Sequence, residues 1–112
     1  MNIVISEERL YSLVTKYIDN ILGVLEGEKN QLNTRVAYFD DKERLVFVVD
    51  LKIGDGESGH KWSISLQLLE RVSSIFRATD EDEINKIVTK YFSKISGMKL
   101  RKKFTYLGGY DF

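Results

Sequence analysis

The strongest pattern of apolar and polar positions lies at Leu45–Ile53, which reads Leu-Val-Phe-Val-Val-Asp-Leu-Lys-Ile. Side chains alternate across an extended strand, so Leu45, Phe47, Val49, Leu51 and Ile53 share one face, and all five are apolar. The opposite face carries Val46, Val48, Asp50 and Lys52, apolar at its start and polar at its end. β-Branched and aromatic residues fit such a half-buried pleated surface. The pattern predicts a central antiparallel strand with one buried face, and it expects Phe47 and Val49 to be fully buried.

Other segments take the 3.6-residue period of a helix. Leu10, Leu13, Val14, Tyr17, Ile18, Ile21, Leu22 and Leu25 form one stripe. Ser6 can cap it, Glu7 and Glu8 suit the positive end of the dipole, and Ile5 can staple to Leu10. This first helix is expected to run to about Glu26 and to stop near Gly27. Glu28–Asn33 reads as a polar connection, Thr34–Phe39 as a short strand, and Asp40-Asp41-Lys42-Glu43 as the turn of a hairpin into the organising strand. Asp40 and Asp41 also form a carboxylate pair, but Asp at a turn tip is favoured for local hydrogen bonding, and that reading is the simpler one. Trp62, Ile64 and Leu66 continue the sheet, and a second helix capped by Ser63 or Ser65 carries Leu68, Leu69, Val72, Ile75 and Phe76. Thr79-Asp80-Glu81-Asp82 opens a third helix with its stripe at Ile84, Ile87, Val88, Tyr91, Phe92 and Ile95, ended by Gly97. Lys86, Lys90 and Lys94 line another face of it, where Asp82 and Glu83 are in reach for ion pairs. Lys99–Tyr106 reads as a last strand, with Leu100, Phe104 and Tyr106 on one face and Arg101, Lys103 and Thr105 on the other. The expected fold is α+β over a single domain, residues 1–112. A three- to four-stranded antiparallel sheet carries three helices packed mainly on one face, in the order helix, strand, strand, strand, helix, helix, strand.

Composition narrows the functional classes. The chain has no cysteine, which removes disulfides and thiolate metal sites, and a single histidine makes zinc a poor fit. No metal and no cofactor is expected. Lys plus Arg equals Asp plus Glu at 17 each, so the whole molecule exerts no net pull on nucleic acid or a membrane. No apolar run approaches the ~18 residues of a membrane span. The first residues lack a basic region and an apolar core, so the expected location is the cytoplasm. Proline is absent, against an average usage of ~5%.

Charge is nevertheless uneven. Residues 1–33 carry 3 basic and 5 acidic side chains, whereas residues 97–112 carry 4 basic and 1 acidic. The last strand is therefore a local basic patch interleaved with aromatics.

Three candidate chemistries fail on their surroundings. Gly54-Asp55-Gly56-Glu57-Ser58-Gly59 matches G-x-G-x-x-G and follows a strand. A dinucleotide loop works through backbone N–H groups and a helix N-terminus facing a pyrophosphate. Here Asp55 and Glu57 would repel that anion, and the residues that follow alternate like a strand instead of opening a helix. A hairpin connection is the better reading. Calcium at Asp55 and Glu57 lacks the 12-residue loop pattern. His60 has no serine or cysteine nucleophile in a recognisable motif around it, so it reads as a surface side chain.

The layout of Glu7-Glu8-Arg9-Leu10, the hairpin Val36–Ile53, and Trp62-Ser63-Ile64 leading into helices is similar to small accessory proteins of tailed phages. The similarity covers most of the chain but is one of arrangement, and it carries over no functional residue. It implies a phage-encoded protein acting in the host cytoplasm, where it would modulate or block a host complex. From the residues themselves the expected function is non-enzymatic protein binding, with Tyr106, Tyr110, Asp111 and Phe112 as partner-binding candidates. Aromatics are the usual interface anchors. The segment Tyr110-Asp111-Phe112 on the Gly108-Gly109 leash suits capture by a partner pocket, or else folds back over the protein's own sheet. The alternative function is nucleic-acid binding through Lys99, Arg101, Lys102 and Lys103, with Phe104 and Tyr106 as stacking faces. A homo-oligomer, for instance a homodimer through the wide apolar stripe of the first helix, stays open.

Overall fold

The computed structural model describes residues 6–53 and 58–112, and it is an α+β fold. The elements are α1 (Glu7–Leu22), β1 (Glu26–Lys29), β2 (Arg35–Phe39), β3 (Leu45–Asp50), β4 (Trp62–Ser65), α2 (Leu66–Ile75), α3 (Glu81–Ser96) and β5 (Thr105–Leu107). The strands form one five-stranded sheet in the order β1-β2-β3-β4-β5. The first three pairings are antiparallel, and β5 joins β4 in parallel. The sheet is thus mixed and five-stranded, not antiparallel with three or four strands.

The correction has a local cause at each end of the sheet. α1 stops earlier than its stripe suggests because Gly23 takes φ 66° and its N–H closes on the Asp19 carbonyl. The chain then turns, and Glu26–Lys29, read as the helix end and a polar connection, becomes an edge strand held by β2 alone. At the other end, β4 enters α2 and the chain must return through α3 before it reaches the sheet again. A strand that comes back by such a crossover lies parallel to the one it left. Only Thr105–Leu107 pairs regularly, and upstream the contact is a single bridge between His60 and Leu100. Gly59 allows that close approach: a Cβ there would meet the Lys99 carbonyl oxygen at 2.8 Å.

The helix ends follow local chemistry. Ser6 accepts from the Arg9 N–H at 3.3 Å, and Ser65 caps α2 by accepting from the Leu68 N–H at 3.3 Å. Asp80, one residue beyond Thr79, caps α3. Gly97 ends α3 in the left-handed conformation. Lys90 and Lys94 do not pair with Asp82 or Glu83; their ammonium groups lie over the Tyr11 ring at 4.8 and 5.0 Å, tying α3 to α1. Ile5 of the expected staple, and Gly54–Glu57 of the glycine-rich loop, lie outside the described residues.

The core fills the space between the helices and one face of the sheet. Phe47 and Val49 are 0% exposed. Phe47 stacks on Tyr38 with ring centroids 4.3 Å apart and meets Phe92 of α3 at 4.5 Å. Val46 is also fully buried, although it belongs to the opposite parity. The register shift opposite Tyr38/Phe39 explains this, since an extra residue on β3 lets Val46 turn inward. α1 contributes Leu10, Val14, Ile18 and Leu22, and α2 contributes Leu68, Leu69 and Val72. Among the described residues no helix is long and apolar enough to cross a membrane.

Candidate functional site on the open face of the sheet

Strand register assigns every sheet residue to a face. Val36, Val49 and Trp62 pair in a row and are buried beneath the helices. The neighbouring row, Glu28–Ala37–Val48–Ser63–Thr105, therefore points the other way. Among the described residues no helix covers that second face. Its middle is low, because the floor is made of alanine, valine and two hydroxyl residues. Ser63 Oγ and Thr105 Oγ1 are hydrogen-bonded to one another across β4 and β5.

Longer side chains rise around this floor and enclose a groove of about 570 Å³. It is lined by Arg35, Lys61, Arg101, Lys103 and Asp50 with Val48, Ser63, Thr105, Leu107 and parts of Trp62 and Phe104. Four cationic side chains thus face one carboxylate. Asp50 is engaged, since Arg35 Nε lies 3.0 Å from its Oδ1. Lys61 and Lys103 are exposed and make no ion pair with any described residue. Arg101 donates from Nε to the Gly59 carbonyl at 3.3 Å. A concave face whose lining carries an excess of positive charge concentrates field and attracts anions.

Backbone and ring contacts hold the rim in place. Trp62 Nε1 donates to the Arg101 carbonyl at 2.7 Å, and Arg101 N–H donates to the His60 carbonyl at 3.0 Å. His60 Nδ1 lies 2.7 Å from the Asp50 carbonyl oxygen. That oxygen only accepts, so Nδ1 donates, and the ring clips the end of β3 to the segment just before β4.

No known family model, no curated protein and no solved structure matches this chain.

Among the residues singled out in the sequence, Arg101, Lys103 and Phe104 reach the groove. Lys99 and Lys102 are exposed but do not line it. Phe104 leans its ring on Trp62 at 4.8 Å, and Tyr106, 55% exposed, meets Phe104 edge-on at 5.9 Å. Tyr106 pairs with Ile64 and so stands on the helix side of the edge strand, whereas Phe104, upstream of the regular pairing, reaches the groove. Tyr110, Asp111 and Phe112 lie away from the groove. The tail instead reaches Arg44, whose Nη1 donates to the Asp111 carbonyl at 2.8 Å and whose guanidinium covers the Phe112 ring at 4.3 Å. Phe112 is partly buried against the core, while Tyr110 remains 43% exposed.

Arg44 is the anchor that sequence reading passed over. It pairs with Asp40 at 2.7 Å and donates to the Ile21 carbonyl at 3.4 Å. Asp40 also accepts the N–H groups of Lys42 and Arg44, at 3.1 and 2.7 Å. The turn reading of Asp40 holds, but its carboxylate is buried and tied, not solvated at a tip. Arg35 and Lys61 were missed as well. Each is one cation beside an apolar strand, and only the register, which pairs Arg35 with Asp50 and sets Lys61 beside it, brings them to Arg101 and Lys103. Among the described residues no group of three histidine or carboxylate side chains is placed to hold a metal ion.

Proposed function

We propose that the chain is a non-enzymatic binding protein whose open sheet face receives an acidic segment of a partner protein. One observation carries the reading: among the described residues Lys61 and Lys103 make no ion pair, and they stand beside Arg35 and Arg101 around a groove that no described helix covers. Neighbouring strands sit ~4.8 Å apart, and alternate residues of an extended peptide repeat about every 6.8 Å. Carboxylates on alternate positions of such a segment match cations set on adjacent and next-but-one strands. The aliphatic and hydroxyl floor leaves room for a backbone and offers hydroxyl groups as donors and acceptors.

A second reading is single-stranded nucleic acid, favoured by Phe104 and Arg101 lining the same groove. Base stacking needs an aromatic face presented toward the strand. Phe104 spends its ring on Trp62, which weakens that reading.

Titration with poly-glutamate and with an oligothymidylate of equal charge, read by fluorescence anisotropy at low salt, separates the two. The proposal expects poly-glutamate to bind, to be lost in Lys61→Ala/Lys103→Ala, and to be displaced by salt as exposed charges are screened. Nucleic acid binding alone, with a log–log salt slope of about −1.5 for two phosphates, would replace it by the second reading.

A further inference from the structure

The two edges of the sheet carry opposite charge on the same face. β1 is one edge and β5 the other. Glu28 pairs with Ala37 and so belongs to the open-face row, and Glu26, two residues before it, shares that face; both are exposed. At the far edge the open face carries Lys103, two residues before Thr105, with Lys61 on the adjoining strand. Neither edge is covered among the described residues. After Leu107 the chain turns inward to Arg44, which leaves the outer side of β5 clear.

We infer that a second copy of this chain docks on β5 through its own β1, so that copies associate edge to edge, head to tail. The strand directions select the geometry. From β1 to β4 directions alternate, and β5 repeats that of β4, so β5 runs opposite to β1. A neighbour placed in the same orientation, with its open face on the same side, then presents β1 antiparallel to β5. An antiparallel ladder forms directly between two such edges. Charge selects the same pairing. Edge charges normally blunt strand pairing, and here like edges are blunted: β1 against β1 opposes glutamates, and β5 against β5 opposes lysines. Only β1 against β5 sets Glu26 and Glu28 toward Lys103 and Lys61. Adjacent strands twist by about 20–25°, so each added copy turns by about 100–125°, and the contact continues as a coiled chain of copies instead of closing on a two-fold axis. The association draws on Lys61 and Lys103, which also line the groove, so the β1 of a second copy and an acidic segment in the groove compete for the same two lysines.

Light scattering and sedimentation over a concentration series at low salt test it. The mass should rise above the 13.0 kDa of one chain without levelling at two chains, and should fall back on adding salt. Glu26→Lys/Glu28→Lys makes both edges basic, and Lys61→Glu/Lys103→Glu makes both acidic. Each variant, checked for an unchanged melting temperature, should stay at the mass of one chain. An equimolar mixture should regain association, because each variant then offers the edge the other needs. A wild-type mass fixed at one chain up to about 1 mM, the weak end of specific association, would overturn the inference. So would a plateau at two chains, or a mixture that stays at the mass of one.

Discussion

On β3, Phe47 and Val49 have no contact with solvent, while Val48 and Asp50 line an open groove. The same alternation runs through β4, where Trp62 and Ile64 are buried and Ser63 stands on the groove floor. One backbone thus supports two surfaces under different constraints. The covered face must fill space against Ile18, Phe92 and Leu68, so its residues are large, apolar and interlocked. The open face has nothing to fill. Its small floor and long cationic rim add little to folding, so its residues are free to serve the recognition proposed above. The covered face thus carries the stability, and the open face is the one on which the proposed binding would occur.

Substitutions should separate the two surfaces, and the largest effect belongs to the covered one. Phe47→Ala removes the ring that Tyr38, Trp62 and Phe92 surround, and should cost ~3–5 kcal/mol in a denaturant titration. A midpoint within error of the wild type would erase the distinction between the faces. Next comes the closure at the end of the sheet. Arg44→Ala leaves the fully buried Asp40 carboxylate without its cation and frees Phe112 from its cover, which should cost about 3 kcal/mol by the same measurement.

A smaller effect concerns the helices that roof the covered face. Tyr91 of α3 donates to the Asp19 carboxylate of α1. Burial, together with that hydrogen bond and the charge of Asp19, raises the Tyr91 hydroxyl well above the usual 10.0, and burial also raises Tyr38. The folded state holds these protons more tightly than the unfolded chain. Their contribution is therefore complete below about pH 10 and is lost as pH rises beyond it. Tyr91→Phe should lose about 1 kcal/mol at neutral pH and show a shallower alkaline decline in melting temperature than the wild type. An equally steep decline would place the titration elsewhere. The smallest effect is expected on the open face. Lys61→Ala/Lys103→Ala should change stability by less than ~0.5 kcal/mol while removing poly-glutamate binding.

What could be read from the chain was what is local in it. The organising strand, the stripes of three helices, the Ser65 cap and the stop at Gly97 each follow from residues within a few positions of one another. β1 escaped because Glu-Gly-Glu-Lys has no apolar alternation; its ladder comes entirely from β2. The parallel placement of β5 depends on a crossover of two helices, which no local pattern carries. The basic C-terminal segment was legible, but only half of it reaches the groove, and Arg35 and Lys61 join it through register across four strands. Arg44 was invisible for the same reason: its partners are Asp40 nearby, Ile21 in α1 and the tail sixty-seven residues on.

The most direct test of the open face as the recognition surface is an amide-resonance map recorded while poly-glutamate is titrated at low salt. If the open face is the recognition surface, Lys61, Ser63, Lys103 and Thr105 should shift first and furthest, and the helices should stay still. Shifts gathered instead on the outer side of α1 and α2, around Leu13, Tyr17 and Phe76, or a spectrum that does not change at all, would contradict it.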